Sequence, residues 1–192
     1  FHGASVGELQ SIIPLIERLE KNRSIKQILI TSNTLSSSKV LKNNNFKKVI
    51  HQFFPIDTNF FIKKFLNYWK PSKALFIDSE FWPNTIYNLK KKKIPIILIN
   101  GRITKKTFNR WIKLSKFSKD LFLNFNLCLS SSKESYGYLK KLGFKNVKFI
   151  GNLKYSQAEN ENLNIDKNLK KFLHTSNSWC ASSTHHQEEF FI

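Results

Sequence analysis

The chain has 192 residues and a mass of 22.6 kDa, and 32 Lys and Arg against 13 Asp and Glu give it a formal net charge of +19. With 41% hydrophobic residues, 18 Phe and 4 Trp it has the material for one packed domain and a piece of another, which excludes the charged, apolar-poor regime of disorder. Of the basic residues 28 are Lys and only 4 are Arg, and a scattered Lys excess argues weakly for nucleic acid, whose phosphates and bases are best read by Arg.

Phe1-His2 reads as an opening strand, and Gly3-Ala4-Ser5-Val6-Gly7-Glu8 as a small-residue turn into a helix. In that helix Leu9, Ile12, Ile13, Ile16 and Leu19 recur at helical spacing while Glu17, Arg18, Glu20 and Lys21 take the other face. Pro14 falls inside it and predicts a kink. Short apolar runs follow at 27–30, 49–54, 74–77, 94–99, 127–129 and 147–150, which read as buried strands of a parallel sheet. Between them lie amphipathic segments at 35–44, 58–69, 83–92, 105–124 and 133–142. Pro83 stands at a helix start, where its missing N–H costs nothing, and Lys90–Lys93 suits a helix C-terminus. Strands alternating with helices predict an α/β domain with a doubly wound parallel sheet over 1–155. From 156 to 178 the pattern dissolves into a linker with a Lys-rich helical stretch around 163–174, and 179–192 reads as the start of a second α/β domain.

Cys128 and Cys180 are far apart and belong to no metal-ligand pattern, so a reduced setting is expected. No apolar run approaches the ~18 residues a transmembrane helix needs. With no Met anywhere and an opening in mid-motif, the chain reads as a piece of a longer one, which leaves an N-terminal anchor open.

In open α/β sheets ligands bind outside the carboxyl ends of the strands. The residues expected there are Gly3, Ala4, Ser5, Gly7 and Glu8 after the opening strand, Asp78-Ser79-Glu80-Phe81-Trp82 after the fourth, Asn100-Gly101-Arg102 after the fifth, and Gly151-Asn152-Leu153-Lys154 after the last. Glu8 reads either as a charge stabilising a helix N-terminus or as a general base aimed into a cleft. Glu80, between an apolar strand and Phe81-Trp82, reads either as a buried carboxylate paired with Arg102 or a Lys, or as a functional one. Lys154 reads as a solvated lysine unless its place beside Gly151-Asn152 is used. His185 and His186 with Glu188 and Glu189 have no metal-binding spacing, and capping by Thr184 explains them. The stretch Phe53 to Lys70 reads as a core helix with a solvated face, or as a basic, aromatic surface for an anionic membrane.

Taken together, these pieces resemble the bacterial 3-deoxy-D-manno-octulosonic acid (Kdo) transferases. The matching motifs, in family order, are Phe1-His2-Gly3-Ala4-Ser5-Val6-Gly7-Glu8, Pro14-Leu15-Ile16, Glu80-Phe81-Trp82-Pro83-Asn84, Asn100-Gly101-Arg102, Gly151-Asn152-Leu153-Lys154, and Ala181-Ser182-Ser183-Thr184-His185 with Glu188-Glu189. The resemblance implies the Rossmann-like N-terminal, acceptor-binding half of a GT-B glycosyltransferase that moves Kdo from CMP-Kdo to the lipid A precursor with inversion. It implies no metal or other cofactor. It assigns Glu8 as general base and Glu80 and Lys154 as transition-state stabilisers, with Gly3, Ala4, Ser5, Gly7, Arg102 and Asn152 as substrate contacts. It also implies a place on the cytoplasmic face of the inner membrane, with CMP-Kdo, the lipid A precursor and the anionic membrane surface as partners and no nucleic acid. The chain departs from the family at His186-Gln187, where Glu-Gly is usual, and at Ser156, where Asp is usual. Two alternatives stand beside it: a GT-B relative with another nucleotide sugar, and a basic nucleic-acid-binding domain, which would leave Glu8 and Glu80 without a role.

Overall fold

A computed structural model describes residues 1–42, 44–157 and 166–175. The chain divides into two units after residue 159. In the first, helix α1 (Val6–Lys21) precedes β1 (Ile28–Ser32), α2 (Leu35–Lys42), β2 (Val49–Phe53), α3 (Asn59–Trp69) and β3 (Ala74–Ile77). There follow α4 (Pro83–Lys91), β4 (Ile96–Gly101), α5 (Lys105–Lys113), α6 (Ser115–Phe122), β5 (Leu127–Ser130), α7 (Lys133–Leu142), β6 (Val147–Phe149) and a 3-10 turn, Leu153–Gln157. In the second unit the described element is α8 (Lys167–Thr175), capped by Asp166, whose carboxylate accepts the N–H groups of Asn168 and Leu169.

All strand pairs are parallel, β2 with β1 and then β3-β4-β5-β6. The opening strand is shorter than expected, a single bridging residue. His2 pairs in parallel with Thr31 of β1 on one side and Phe76 of β3 on the other. The backbone bonds are regular, Gly3 N–H to Thr31 O at 3.1 Å, Thr31 N–H to Phe1 O at 2.8 Å, His2 N–H to Leu75 O at 2.8 Å and Ile77 N–H to His2 O at 3.0 Å. The chain therefore starts at the centre of the sheet, runs outward to β2, and returns to the other side of His2 for β3. Strand order reverses at His2, which makes the carboxyl end of that position the switch point where such sheets form a crevice.

Two cores flank the sheet, because successive strand residues face opposite ways. Leu9, Ile12 and Ile16 of α1 and Leu41 of α2 pack with Ile28, Ile30, Ile77 and Ile99. Phe76, Ile96, Leu98 and Cys128 point the other way, onto Ile62 and Leu66 of α3, Ile86 and Leu89 of α4, Leu121 and Phe122 of α6, and Leu139 and Leu142 of α7. This is the expected α/β fold with helices on both faces. Leu9, Ile12 and Ile16 are each 0% exposed, and burying each contributes about 1.5–3 kcal/mol, which fixes α1 and hence Glu8 in its first turn.

Most predicted helices hold, with one difference. The stretch 105–124 is two helices broken at Leu114 (φ −101°, ψ 41°). Each half has its own aromatic anchor, Phe108 stacked on Tyr138 at 4.5 Å and Phe122 stacked on Phe144 at 4.8 Å. Pro14 does not interrupt α1, which is continuous from Val6 to Lys21 because its apolar face docks on both sides of the proline. Pro83 opens α4 as expected. Trp82 at the N-cap makes no side-chain capping bond, and Asp57 caps instead, accepting from Asn84 N–H at 3.0 Å, Thr85 N–H at 2.8 Å and the Thr85 hydroxyl at 2.6 Å. On α3, Ile62 and Leu66 are buried while Phe60, Phe61, Lys63, Lys64 and Tyr68 are exposed. The expected second-domain start, with Thr184, His185, His186, Glu188 and Glu189, lies outside the described residues, as do 158–165 and 176–178 of the expected linker.

Candidate active site

The site begins with how Glu8 is held. Ser5 is the N-cap of α1 and its hydroxyl oxygen accepts the Glu8 N–H at 3.3 Å. In return the Glu8 carboxylate accepts the Ala4 N–H at 2.8 Å and the Ser5 hydroxyl at 2.9 Å. This is a reciprocal box closed one residue early, on Ala4. The two readings of Glu8 thus meet in one residue. The cap fixes the carboxylate, and each of its oxygens keeps a lone pair for a further proton donor.

Part of the backbone of this turn is already engaged. The Gly3 and Ala4 N–H groups are taken, by Thr31 O and by Glu8. Gly3 is tightly packed: a Cβ there would stand 2.9 Å from Ile77 Cδ1 and 3.2 Å from Leu9 Cδ2. Gly7 lies beside the lysine, since a Cβ there would stand 3.7 Å from Lys154 Nζ. The Lys154 ammonium therefore sits over the first turn of α1, where the helix dipole disfavours a cation and carboxylates or an incoming anion must balance it.

Lys154 is placed by two asparagines. Asn100, buried at the end of β4 with φ 53°, accepts the Leu153 N–H at 3.0 Å on its side-chain oxygen, and Asn152 accepts the Lys154 N–H at 3.0 Å. Asn152 thus shapes the turn that presents Lys154. The Arg102 side chain is exposed beyond the end of β4, and its N–H reaches Asp78 O at 3.3 Å.

Asp78 stands in the middle of these groups, at the carboxyl end of β3 in the left-handed region, φ 61°. Its carboxylate accepts no hydrogen bond from the described residues. Burial, and then the charge of Glu8, push its carboxyl up from 3.8 to about 6; Arg102 and Lys154 pull the other way, and Glu80 adds to the rise. Glu8, Glu80, Arg102 and Lys154 are thus all close enough to act on one half-buried carboxylate.

Glu80 is paired, though with neither Arg102 nor a Lys. Its Oε2 accepts Trp82 Nε1–H at 2.8 Å and lies 3.3 Å from His2 Nε2. His2 is 4% and Glu80 17% exposed. The imidazole is stacked on Phe54 at 3.9 Å with edge contacts to Phe76 and Trp82, and its Nδ1 is 3.0 Å from the Thr31 hydroxyl. Oε1 of Glu80 has no partner among the described residues, and no side-chain oxygen there is both buried and unsatisfied, so Oε1 is open to solvent.

The structure therefore brings Glu8, Glu80, Arg102 and Lys154 together and gives parts to Asp78, Asn100 and His2, which the sequence placed at the strand ends or in the opening motif without a role. Asp78 carried a signal, its place after the fourth strand. The contacts of His2 carried none, because its partners are distant in the chain.

A family model described as 3-deoxy-D-manno-octulosonic-acid transferase (kdotransferase) matches residues 1–157. The chain is 37% identical over its full length to the 3-deoxy-D-manno-octulosonic acid transferase of Rickettsia prowazekii, covering 41% of that protein. It is 34% identical to a probable mitochondrial 3-deoxy-D-manno-octulosonic acid transferase of Arabidopsis thaliana and 28% identical to the transferase of Haemophilus influenzae, in each case over the whole chain and 45% and 46% of the relative. The chain spans less than half the length of these relatives. With the family model covering most of its length, the chain belongs to the 3-deoxy-D-manno-octulosonic acid transferase family.

Proposed function

We propose that this chain is the acceptor-binding, base-supplying part of a glycosyltransferase that moves Kdo from CMP-Kdo to a hydroxyl of the lipid A precursor, with inversion. The observation that carries this reading is the convergence of Glu8, Asp78, Arg102 and Lys154 at the switch point. A sugar hydroxyl is a weak acid, so a fixed carboxylate must take its proton as it attacks. Glu8 is fixed by Ala4 and Ser5 and retains acceptor capacity. As the acceptor oxygen bonds to the anomeric carbon, the bond from that carbon to the CMP phosphate oxygen breaks. The electron pair leaves with CMP and the proton goes to Glu8. Positive charge developing on the sugar is opposite in sign to Asp78 and to the open oxygen of Glu80, and Lys154 and Arg102 match the departing phosphate or the Kdo carboxylate. In this scheme the protein's own cations do the work of charge neutralisation, so no resident metal or cofactor is used.

The outward face of α3, with Phe60, Phe61 and Tyr68 interleaved with Lys63 and Lys64, suits an anionic bilayer surface, in keeping with a place on the cytoplasmic face of the inner membrane. No helix among the described residues is long and apolar enough to cross a membrane.

The test is Kdo transfer by the full-length protein carrying Glu8→Gln. Gln still accepts the Ala4 N–H, so the fold is kept while turnover falls about 10²–10⁴-fold. Transfer near the wild-type rate by the folded variant would remove Glu8 as the base.

A further inference from the structure

We propose that His2 is a positioning residue: with Trp82 it clamps Oε2 of Glu80 and so holds the turn carrying Asp78 in register with the turn carrying Glu8. The inference rests on reading this site as the transfer centre. Three observations support it. First, both ring nitrogens are engaged. The Thr31 hydroxyl lies 3.0 Å from His2 Nδ1 and 3.1 Å from Phe1 O, and Nε2 lies 3.3 Å from Oε2 of Glu80, so the ring bridges β1 and the Glu80 turn. When the Thr31 hydrogen turns to Nδ1, the ring proton is on Nε2 and is donated to Glu80.

Second, the backbone alone ties this turn loosely. Asp78 is in the left-handed region, a conformation that persists only where the surroundings hold it. Asp78 N–H is held by Ile99 O at 3.0 Å, but beyond it the backbone bonds of the turn are long, Glu80 N–H to Ile77 O at 3.4 Å and Arg102 N–H to Asp78 O at 3.3 Å. The bond from Trp82 to Glu80, at 2.8 Å, is much shorter. Third, the clamp joins the two chain segments that bear the carboxylates. His2 lies six residues before Glu8 and is paired to both β1 and β3, and Glu80 lies two residues after Asp78. Phe54, stacked on the imidazole, keeps water from the clamp. Oε2 thereby serves the fold while Oε1 stays open.

The full-length protein tests this with His2→Phe, which keeps the stacking and removes both ring donors, and His2→Gln, whose amide N–H takes the place of Nε2–H. Per folded molecule, kcat of His2→Phe falls about 10–100-fold with KM within about threefold, since a small misplacement of reacting groups acts on turnover. His2→Gln recovers to within about fivefold of wild type. Trp82→Phe, which removes the other donor to the same oxygen, gives the same loss in kcat and carries the test if His2→Phe does not fold. Independently of turnover, backbone amide exchange at residues 78–82 becomes about tenfold faster in His2→Phe and in Trp82→Phe, while exchange in α7 is unchanged. Wild-type kcat in both donor-removing variants, no recovery in His2→Gln, or unchanged exchange at 78–82 would overturn the clamp. Absence of Kdo transfer by the wild-type protein would instead overturn the functional reading, and the exchange measurement would still decide the clamp.

Discussion

Asp78→Asn should make this protein more stable, against the general run of substitutions. The carboxyl of Asp78 is pushed up from 3.8 to about 6, first by burial and then by Glu8. A carboxyl raised on folding binds its proton more tightly in the folded state, so stability falls as pH rises from about 4 to about 6. The ionised side chain then destabilises the fold at every higher pH. The difference corresponds to about 3 kcal/mol at full weight, and solvent access to the half-buried group reduces it to about 1–2 kcal/mol. Asn has the same shape, tolerates the left-handed conformation at this position, and forfeits no hydrogen bond, since the Asp78 carboxylate accepts none from the described residues. Urea unfolding of both proteins from pH 4 to pH 8 should show equal midpoints at the acid end and a gain of about 1–2 kcal/mol for the variant above pH 6. Equal or lower stability of the variant at pH 8, or a difference that does not change with pH, would refute this electrostatic account of the site. If the same variant also transfers sugar poorly, the site trades stability for activity.

Two further substitutions test how the scaffold is held. Asp57→Ala removes the borrowed cap of α4 and should cost about 1–2 kcal/mol in an unfolding titration, whereas a loss below about 0.3 kcal/mol would mean that solvent caps the helix equally well. Gly137→Ala, inside α7 with nothing within 4 Å of the added Cβ, should gain about 1 kcal/mol, read as a higher melting temperature; a lower one would show that α7 needs the glycine.

The layered fold was legible because its signals are local. Runs such as Ile96 to Ile99 alternate between the two cores, and Leu9, Ile12 and Ile16 repeat at helical spacing, so neighbours in sequence disclose the face each residue takes. The carboxyl-edge rule likewise pointed to Glu8, Arg102 and Lys154 before any contact was known. What escaped depends on side chains meeting across the fold. Glu80 was expected to pair with a cation, and instead a histidine 78 residues away and a tryptophan two residues on share one of its oxygens. The break at Leu114 escaped because both sides of it read as helical in sequence, while Phe108 and Phe122 are anchored on different partners. Asp78 was hidden by the more familiar residues around it, since its importance lies in being surrounded.

The single-residue bridge at His2 also bears on how the site comes into being during folding. Its two sheet partners lie 29 and about 74 residues along the chain, so the crevice exists only after both loops have closed. Closure entropy rises with the logarithm of length, and the longer loop costs only about 0.8 kcal/mol more than the shorter. The equilibrium penalty for building a reaction centre from such distant parts is therefore slight. The kinetic one is larger, because contacts of high sequence separation slow the approach to the native state. The strand position that brings the base to its neighbours is also the one whose pairing must wait for both halves of the sheet.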